Sequence, residues 1–346
     1  MTTAPDGPAT GPRPAGPSAP AEVLTMGRVG VDIYPDQVGV GLDEVTSFGK
    51  YLGGSPTNVA VAAARHGRSA AVLTRVGDDP LGRFVRRALA GFGVDDRHVR
   101  AVPGTATPVT LCEVFPPDDF PLYFYGRDPA PDLLIGADEL DEGAIAGAGL
   151  FWVTGTGLCR EPSRTATLEA LRVRGRRGHT VLDLDHRPMF WDSREDARAQ
   201  AARALPLVTA ACGNLDEWEV AVGTRDADEA ARRGLDLGLE TAVVKQGPEG
   251  VLIATAAAVH REPPVPVDVV NGLGAGDAFG GALSHGLLAG WGVAETARFA
   301  NAAGAIVASR LSCADAMPTT AEVRHLLGEP GREPPPADRG PAGEAP

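Results

Sequence analysis

The chain has 346 residues, 43% of them hydrophobic and 22% charged, which is enough to bury a substantial core as one large globular body. Its formal net charge of -13 at pH 7 argues against nucleic acid or an anionic membrane surface as the main partner, since both select a basic face. An anionic small ligand would need local cations or backbone donors, and of the 32 cationic residues only Lys50 and Lys245 are lysines.

The first twenty residues, MTTAPDGPATGPRPAGPSAP, lack the apolar stretch of a signal peptide. Residues 1–21 read as a disordered Pro/Gly-rich tail and 329–346 likewise, leaving a folded body over 22–328. No apolar run is long enough to span a membrane, and a cytoplasmic protein is expected. EVLTMGRVGVD reads as a buried strand ending at Asp32. SAAVLTRVG, LFWVTGTG, TVLDLD, LVTAACG and TAVVKQG are further strand-like runs, each stopping at Gly or a carboxylate. Helical stretches over 56–66, 80–91, 163–175 and 215–222 lie between them. This alternation predicts an α/β fold with a mostly parallel central sheet flanked by helices on both faces, and ligands beyond the carboxyl ends of its strands.

Two segments, 33–52 and 105–127, break the rhythm. In the second, TPVTLCEVF and LYFYGR flank PPDDFP, a turn-forming sequence. Both predict hairpins beside the first strands, either a small β lid over the strand ends or an edge extension of the main sheet. Their apolar faces suggest a homodimer paired through the lid. Four scattered cysteines without a CxxC pair predict free thiols rather than a disulfide framework or zinc site.

VVNGLGAGDAFGGALSHG, from Val269, is dense in glycine. The backbone N–H groups of Gly274, Ala275 and Gly276 would open a helix as an anion site. Asp277 stands beside that site, which suits a general base for an attacking hydroxyl, or else a simple helix cap. No GxxxxGK[ST], GxGxxG or GxSxG occurs, which weighs against a P-loop NTPase, a Rossmann dehydrogenase and an α/β-hydrolase.

GGSPTNVAVAAARHGRSAAVLTRVG, from Gly53, and NGLGAGDAFGGALS, from Asn271, resemble the two signatures of the ribokinase/PfkB carbohydrate kinases, with Gly272 where that family has Thr or Ser. The resemblance implies a ribokinase-like fold, a sugar as acceptor, ATP as donor and Mg²⁺. It implies that Asp32, Gly53, Gly54 and Asn58 bind acceptor hydroxyls, the bare glycine backbone letting the sugar approach, and that Asp277 is the base. Asn214 and Glu217 of NLDE would position Mg²⁺ and phosphates, Glu217 through water, although these residues also read as an Asn-capped helix start. Lys245 would face the phosphates, Gly247 and Gly250 would shape the turn along the nucleotide, and Asn301 would line the adenine pocket.

Longer strings, among them GRVGVDIYPDQ, DLDHRPMFW and SRLSCADAMPT, resemble one branch of the family, the 5-dehydro-2-deoxygluconokinases of inositol catabolism. That resemblance implies phosphorylation of the C6 hydroxyl of a sugar acid, with Arg127 and Arg187 as candidates for holding its carboxylate. Kinases of 2-keto-3-deoxygluconate, a ketohexose or a nucleoside stay open, as does a noncatalytic sugar-binding or regulatory protein. Asn271 and Gly272 lack the charge and hydroxyl with which some relatives build a monovalent-cation site, which speaks against potassium activation.

Overall fold

The computed structural model describes residues 19–329, so the predicted tails lie outside the described residues except at their inner ends. Those ends belong to the packed body: Ala21 lies against the core, and Glu329 pairs with Arg298 at 3.0 Å and with Arg324 at 3.4 Å.

Among the described residues fourteen strands form two sheets. In chain order they are β1 (Val23–Met26), β2 (Gly30–Pro35), β3 (Phe48–Gly53), β4 (Ala70–Gly77), β5 (Val94–Asp95), β6 (Val99–Val102), β7 (Val109–Cys112), β8 (Leu122–Tyr125), β9 (Leu150–Thr154), β10 (His179–Asp183), β11 (Ala210–Asn214), β12 (Thr241–Lys245), β13 (Val251–Thr255) and β14 (Val259–Glu262). The large sheet runs β14-β13-β12-β11-β10-β9-β1-β4-β5, with β6 also on β4. It is parallel from β12 to β5, and the β12–β13–β14 end is antiparallel.

Ten α-helices accompany them: α1 (Ser55–Arg65), α2 (Pro80–Gly91), α3 (Glu142–Gly147), α4 (Ser163–Arg174), α5 (Arg194–Ala204), α6 (Leu215–Val222), α7 (Ala227–Asp236), α8 (Ala275–Leu288), α9 (Val293–Ala308) and α10 (Thr320–Leu326). Strand periodicity sends alternate residues to opposite faces, and each face has its own core. Trp152, Val181 and Val243 meet α1, α8 and α9 on one side. Phe151, Val153, Leu182 and Val244 meet α4, α6 and α7 on the other. No helix among the described residues is long and apolar enough to cross a membrane.

The reading of EVLTMGRVGVD as one strand is corrected. The chain leaves the large sheet at Gly27, whose φ of 139° favours glycine, and whose carbonyl accepts a 2.6 Å hydrogen bond from Thr74 Oγ1. It enters a separate four-stranded sheet at Gly30, so Asp32 lies inside β2 and does not end the first strand. An unbroken apolar pattern carries no mark of a change of sheet. The small sheet has the order β3-β2-β7-β8: β2 and β3 pair antiparallel from Gly30↔Gly53, β2 and β7 pair parallel, and β7 and β8 pair antiparallel. Segments 33–52 and 105–127 thus meet in one sheet, distinct from the large one.

On the α1/α8/α9 side two histidines are buried in contact, His66 and His285, with ring centroids 5.6 Å apart and Phe299 against both. Arg68 Nε donates to His285 Nδ1 at 3.1 Å, which leaves that nitrogen without a proton. Burial pushes His66 down to about 3, with His285, Arg65 and Arg68 adding to the depression and Glu322 opposing it, and pushes His285 down to about 4, with Arg68 and Arg324 adding and Glu22 opposing. Both are neutral when folded and take up protons below about 6.5 when unfolded, so their contribution to stability is complete above that pH and falls as pH drops toward 4. Urea unfolding should show a loss of roughly 2 to 3 kcal/mol for each histidine between pH 7 and 4.5. The drop should shrink in the His66→Gln/His285→Gln double variant, and an unchanged drop would rule these residues out as its source.

Candidate active site

The carboxyl ends of the parallel strands and the N-terminus of α8 converge on one region. Gly274, with φ 81°, starts α8, and no side chain caps it, so the first N–H groups of the helix are left for another acceptor. A Cβ on Gly274 would lie 2.7 Å from Cys313 Sγ, which fixes glycine there on space as well as on φ.

Asp277 is not a helix cap. Its carboxylate turns toward α1 and accepts from Ser55 Oγ at 2.7 Å and from Asn58 Nδ2 at 2.8 Å. Burial raises its pKa above the ordinary carboxylate range, and the two donated hydrogen bonds oppose that rise. Ser55 was not singled out in the sequence. The available signal was its spacing of three from Asn58, which places both on one face of α1.

Asp32 is buried beside this pair, and burial pushes its carboxyl up to about 6, with the Arg28 charge pulling it down and the Asp277 charge pushing it further up. The two glycines ahead of α1 owe their lack of side chains to the protein itself. A Cβ on Gly53 would fall 2.2 Å from the Asp32 carboxylate, and one on Gly54 would fall 2.6 Å from the Arg28 carbonyl oxygen. Gly54 also has φ 101°. The space that a side chain at either position would need is filled by Asp32 and by the β1–β2 connection.

Lys245 ends β12, and its Nζ lies 3.2 Å from where a Gly276 Cβ would stand, so the ammonium sits against the first turn of α8. Burial disfavours its charge, but Cys212, Asp183, Glu217 and Asp277 outweigh this and hold its pKa above the ordinary lysine value. Asp183, at the end of β10, is raised to about 7 by burial, against the pull of Lys245.

Lys245, Gly247, Gly250, Ala275, Gly276 and Asn301 line one cavity of about 700 Å³, mostly apolar, with Val265, Val267 and Phe279 in its walls. Asn301 Nδ2 donates to the Pro263 carbonyl at 2.6 Å and so ties α9 to the far wall. Gly250, with φ 88°, has no room for a Cβ, which would meet the Glu262 carbonyl oxygen at 2.1 Å. Pro117 and Asp118, from the turn between β7 and β8, also reach this cavity, so the small sheet borders it.

Asn214 and Glu217 line a second cavity of about 650 Å³ together with Arg187. Asn214 is the Cα partner of Lys245 across β11 and β12, so the two cavities open on either side of that rung. The pair forms a complete capping box: Asn214 Oδ1 accepts from Glu217 N–H at 2.9 Å, and Glu217 Oε2 accepts from Asn214 N–H at 2.7 Å. One Glu217 oxygen remains for a metal-bound water. Among the described residues no group of three or more His, Cys, Asp or Glu is arranged to hold a metal ion.

Arg127 and Arg187 line different cavities. Arg127 lines a hollow of about 270 Å³ with Phe124 and Phe190, and its Nη1 lies 3.4 Å from Asp132 Oδ2. Arg187 pairs with Asp185 at 3.1 Å, which raises its pKa. Asn271 is fully buried, donating to the Leu311 carbonyl at 2.6 Å and accepting from Leu273 N–H at 3.0 Å, so both ends of its amide are used within the loop.

A sequence profile described as pfkB family carbohydrate kinase matches residues 20–320. A 5-dehydro-2-deoxygluconokinase of Geobacillus kaustophilus (strain HTA426) is 31% identical over 315 residues, covering 89% of this chain and 94% of that protein. One from Clostridium tetani (strain Massachusetts / E88) is 30% identical over 326 residues, covering 91% and 95%. Among solved structures, aminoimidazole riboside kinase from Salmonella enterica, complexed with aminoimidazole riboside and an ATP analog, superposes with a TM-score of 0.72 at 27% identity, over 88% of this chain and 99% of that one. Fructokinase from Vibrio cholerae O395, in its fructose, ADP and calcium ion bound form, gives 0.76 at 25% identity over 88% and 99%. The profile match spans every strand of both sheets and the helix that carries Asp277, and the chain therefore belongs to the pfkB family of carbohydrate kinases, as an ATP-dependent sugar kinase.

Proposed function

We propose that the protein transfers the terminal phosphoryl group of ATP to the C6 hydroxyl of a sugar acid, 5-dehydro-2-deoxy-D-gluconate. The observation that carries the chemistry is the Asp277 carboxylate, held by Ser55 and Asn58 beside the uncapped start of α8. The names of the relatives near 30% identity support the acceptor.

In this reading Asp277 accepts the proton of the C6 hydroxyl as its oxygen forms a bond to phosphorus and the bond from phosphorus to the leaving ADP oxygen breaks. The N–H groups of Gly274, Ala275 and Gly276 and the Lys245 ammonium face the charge on the transferring group. Asp32 and Asn58 hydrogen-bond acceptor hydroxyls, and Gly53 and Gly54 let the Asp32 carboxylate and the β1–β2 connection take their places. The cavity bounded by Gly247, Gly250 and Asn301 receives the nucleoside. Mg²⁺, met through water by Glu217 and with Asn214 nearby, would supply positive charge to the phosphates. The small sheet serves as a lid, its β7–β8 turn closing the nucleotide side and Asp32 the acceptor side.

A panel of acceptors assayed for ADP release with Mg-ATP tests this. The sugar acid should exceed 2-keto-3-deoxygluconate, ketohexoses and nucleosides by at least about tenfold in kcat/KM, a difference of ~1.4 kcal/mol. A better rate with any of those would reassign the acceptor. No ADP release with any of them would leave a noncatalytic sugar-binding protein.

A further inference from the structure

Arg28 sits in the connection from β1 to β2, between the two sheets, and its backbone is fixed on every side. The Gly27 carbonyl accepts from Thr74, the Arg28 carbonyl accepts from Thr57 Oγ1 at 3.1 Å, and Val29 N–H donates to Asp132 Oδ2 at 3.2 Å. Its guanidinium lies 5.3 Å from the ring centroids of both Phe124, of the small sheet, and Phe190, beyond β10. The two rings pack edge to face at 4.9 Å and restrict where the planar group can turn.

What this guanidinium lacks is an anion. Two neighbouring aspartates are paired with other arginines, Asp132 through Oδ2 with Arg127 and Asp185 with Arg187, while Asp132 Oδ1 is buried without a partner. Arg28 makes no ion pair or side-chain hydrogen bond among the described residues, and its Nε is buried without a partner. Burial lowers its pKa, and the charges of Arg127 and Arg187 lower it further, against the pull of Asp185 and Asp132. A cation held in this way is costly unless something negative completes it. The Arg28 carbonyl accepts from Thr57 and borders Gly54, next to Gly53 and the Asp32 carboxylate, so Arg28 stands on the acceptor side of the base, and it is not in the lining of the cavity bounded by Asn301. An acceptor with a hydroxyl at one end and a carboxylate at the other has an anion to offer on that side of the site.

We propose that Arg28 binds the carboxylate of the acceptor and makes the site selective for sugar acids over neutral sugars. This rests on the reading of the protein as a sugar-acid kinase and moves the carboxylate contact from Arg127 and Arg187, which are each paired with an aspartate, to an arginine that makes no ion pair among the described residues. Arg127 and Arg187, tied to Asp132 and Asp185, form the rim of positive charge around it.

The test is the ratio of kcat/KM for the sugar acid to that for the same sugar with a carboxamide in place of the carboxylate. In Arg28→Gln this ratio should fall roughly 10- to 100-fold, mostly through KM for the acid, because charge-assisted hydrogen bonds are lost. Arg28→Lys should recover part of it, since an ammonium keeps the charge without the fork. Arg127→Gln and Arg187→Gln should reduce the ratio less. Melting temperatures recorded alongside separate this from misfolding. If the wild type prefers the acid and Arg28→Gln keeps that preference, or if Arg187→Gln is the variant that loses it, Arg28 is not the carboxylate site while the proposed function stands. A wild type with no preference for the acid overturns both.

Discussion

Asp277→Asn should lower kcat by about 10²- to 10⁴-fold while leaving ATP binding close to that of the wild type. The substitution keeps size and shape and leaves the start of α8 intact, so the backbone donors and Lys245 stay in place. The new amide can still accept from Asn58 through its oxygen, and Ser55 can rotate its hydroxyl to accept from the amide nitrogen, so both neighbours find a partner. What disappears is the capacity to take a proton. The same carboxylate should set the acid limb of the pH–rate profile. Its pKa is raised by burial and a protonated carboxyl cannot act as a base, so kcat/KM falls as pH drops through a value above the ordinary carboxylate range. Ser55→Ala removes one of the two hydrogen bonds that oppose the rise, and the acid limb should move to higher pH in that variant. A near-normal kcat in Asp277→Asn would reduce Asp277 to a structural partner of α1.

The order of the large-sheet elements could be read from the sequence because local chemistry marks them. Helix α2 opens at Asp79-Pro80, with the Asp79 carboxylate accepting from Gly82 N–H at 2.7 Å, and α6 opens on the Asn214–Glu217 box, so both starts were written in neighbouring residues. Gly247 and Gly250 of the candidate nucleotide cavity come from the family resemblance, and both have positive φ, a backbone need that glycine meets. The acceptor side was read less well. Asp32 was placed at the end of a strand because nothing in MGRVGVD distinguishes the last residues of one sheet from the first of another. Glycine at 53 and 54 has a reason that local sequence does not show, because a side chain at either position would meet residues 21 and 26 positions earlier. Arg28 was passed over as one arginine among many; the cue it offered was a single charge inside an apolar run. Its meaning depends on Phe124, Asp132 and Phe190, which are near it only in the folded chain.

Lys245→Met should be the most damaging change that leaves the acceptor residues untouched. The methionine side chain is of similar length and carries no charge, so the ammonium beside Gly276 is lost with little change in packing. Loss of one fixed cation from a phosphoryl site is expected to lower kcat by roughly 10²- to 10³-fold, and ATP affinity by about tenfold or more. Stability should suffer too. Asp183 and Glu217 are buried carboxylates that face Lys245, and breaking a buried pair by removing one partner costs roughly 3 to 5 kcal/mol. That cost should depend on pH in a defined direction. Asp183 is at about 7 even with Lys245 present, and without the cation it rises further. A carboxyl raised in the folded state binds a proton that the unfolded chain releases near 4, so its contribution is present at low pH and lost as pH rises through the folded value. The stability gap between wild type and Lys245→Met, measured by urea unfolding, should therefore be wide at pH 8 and narrower at pH 6. His66 and His285 are common to both proteins and cancel in the difference. An equal gap at the two pH values would mean that Lys245 is not the counter-charge of Asp183, and that its raised pKa comes from Glu217 and Asp277 instead.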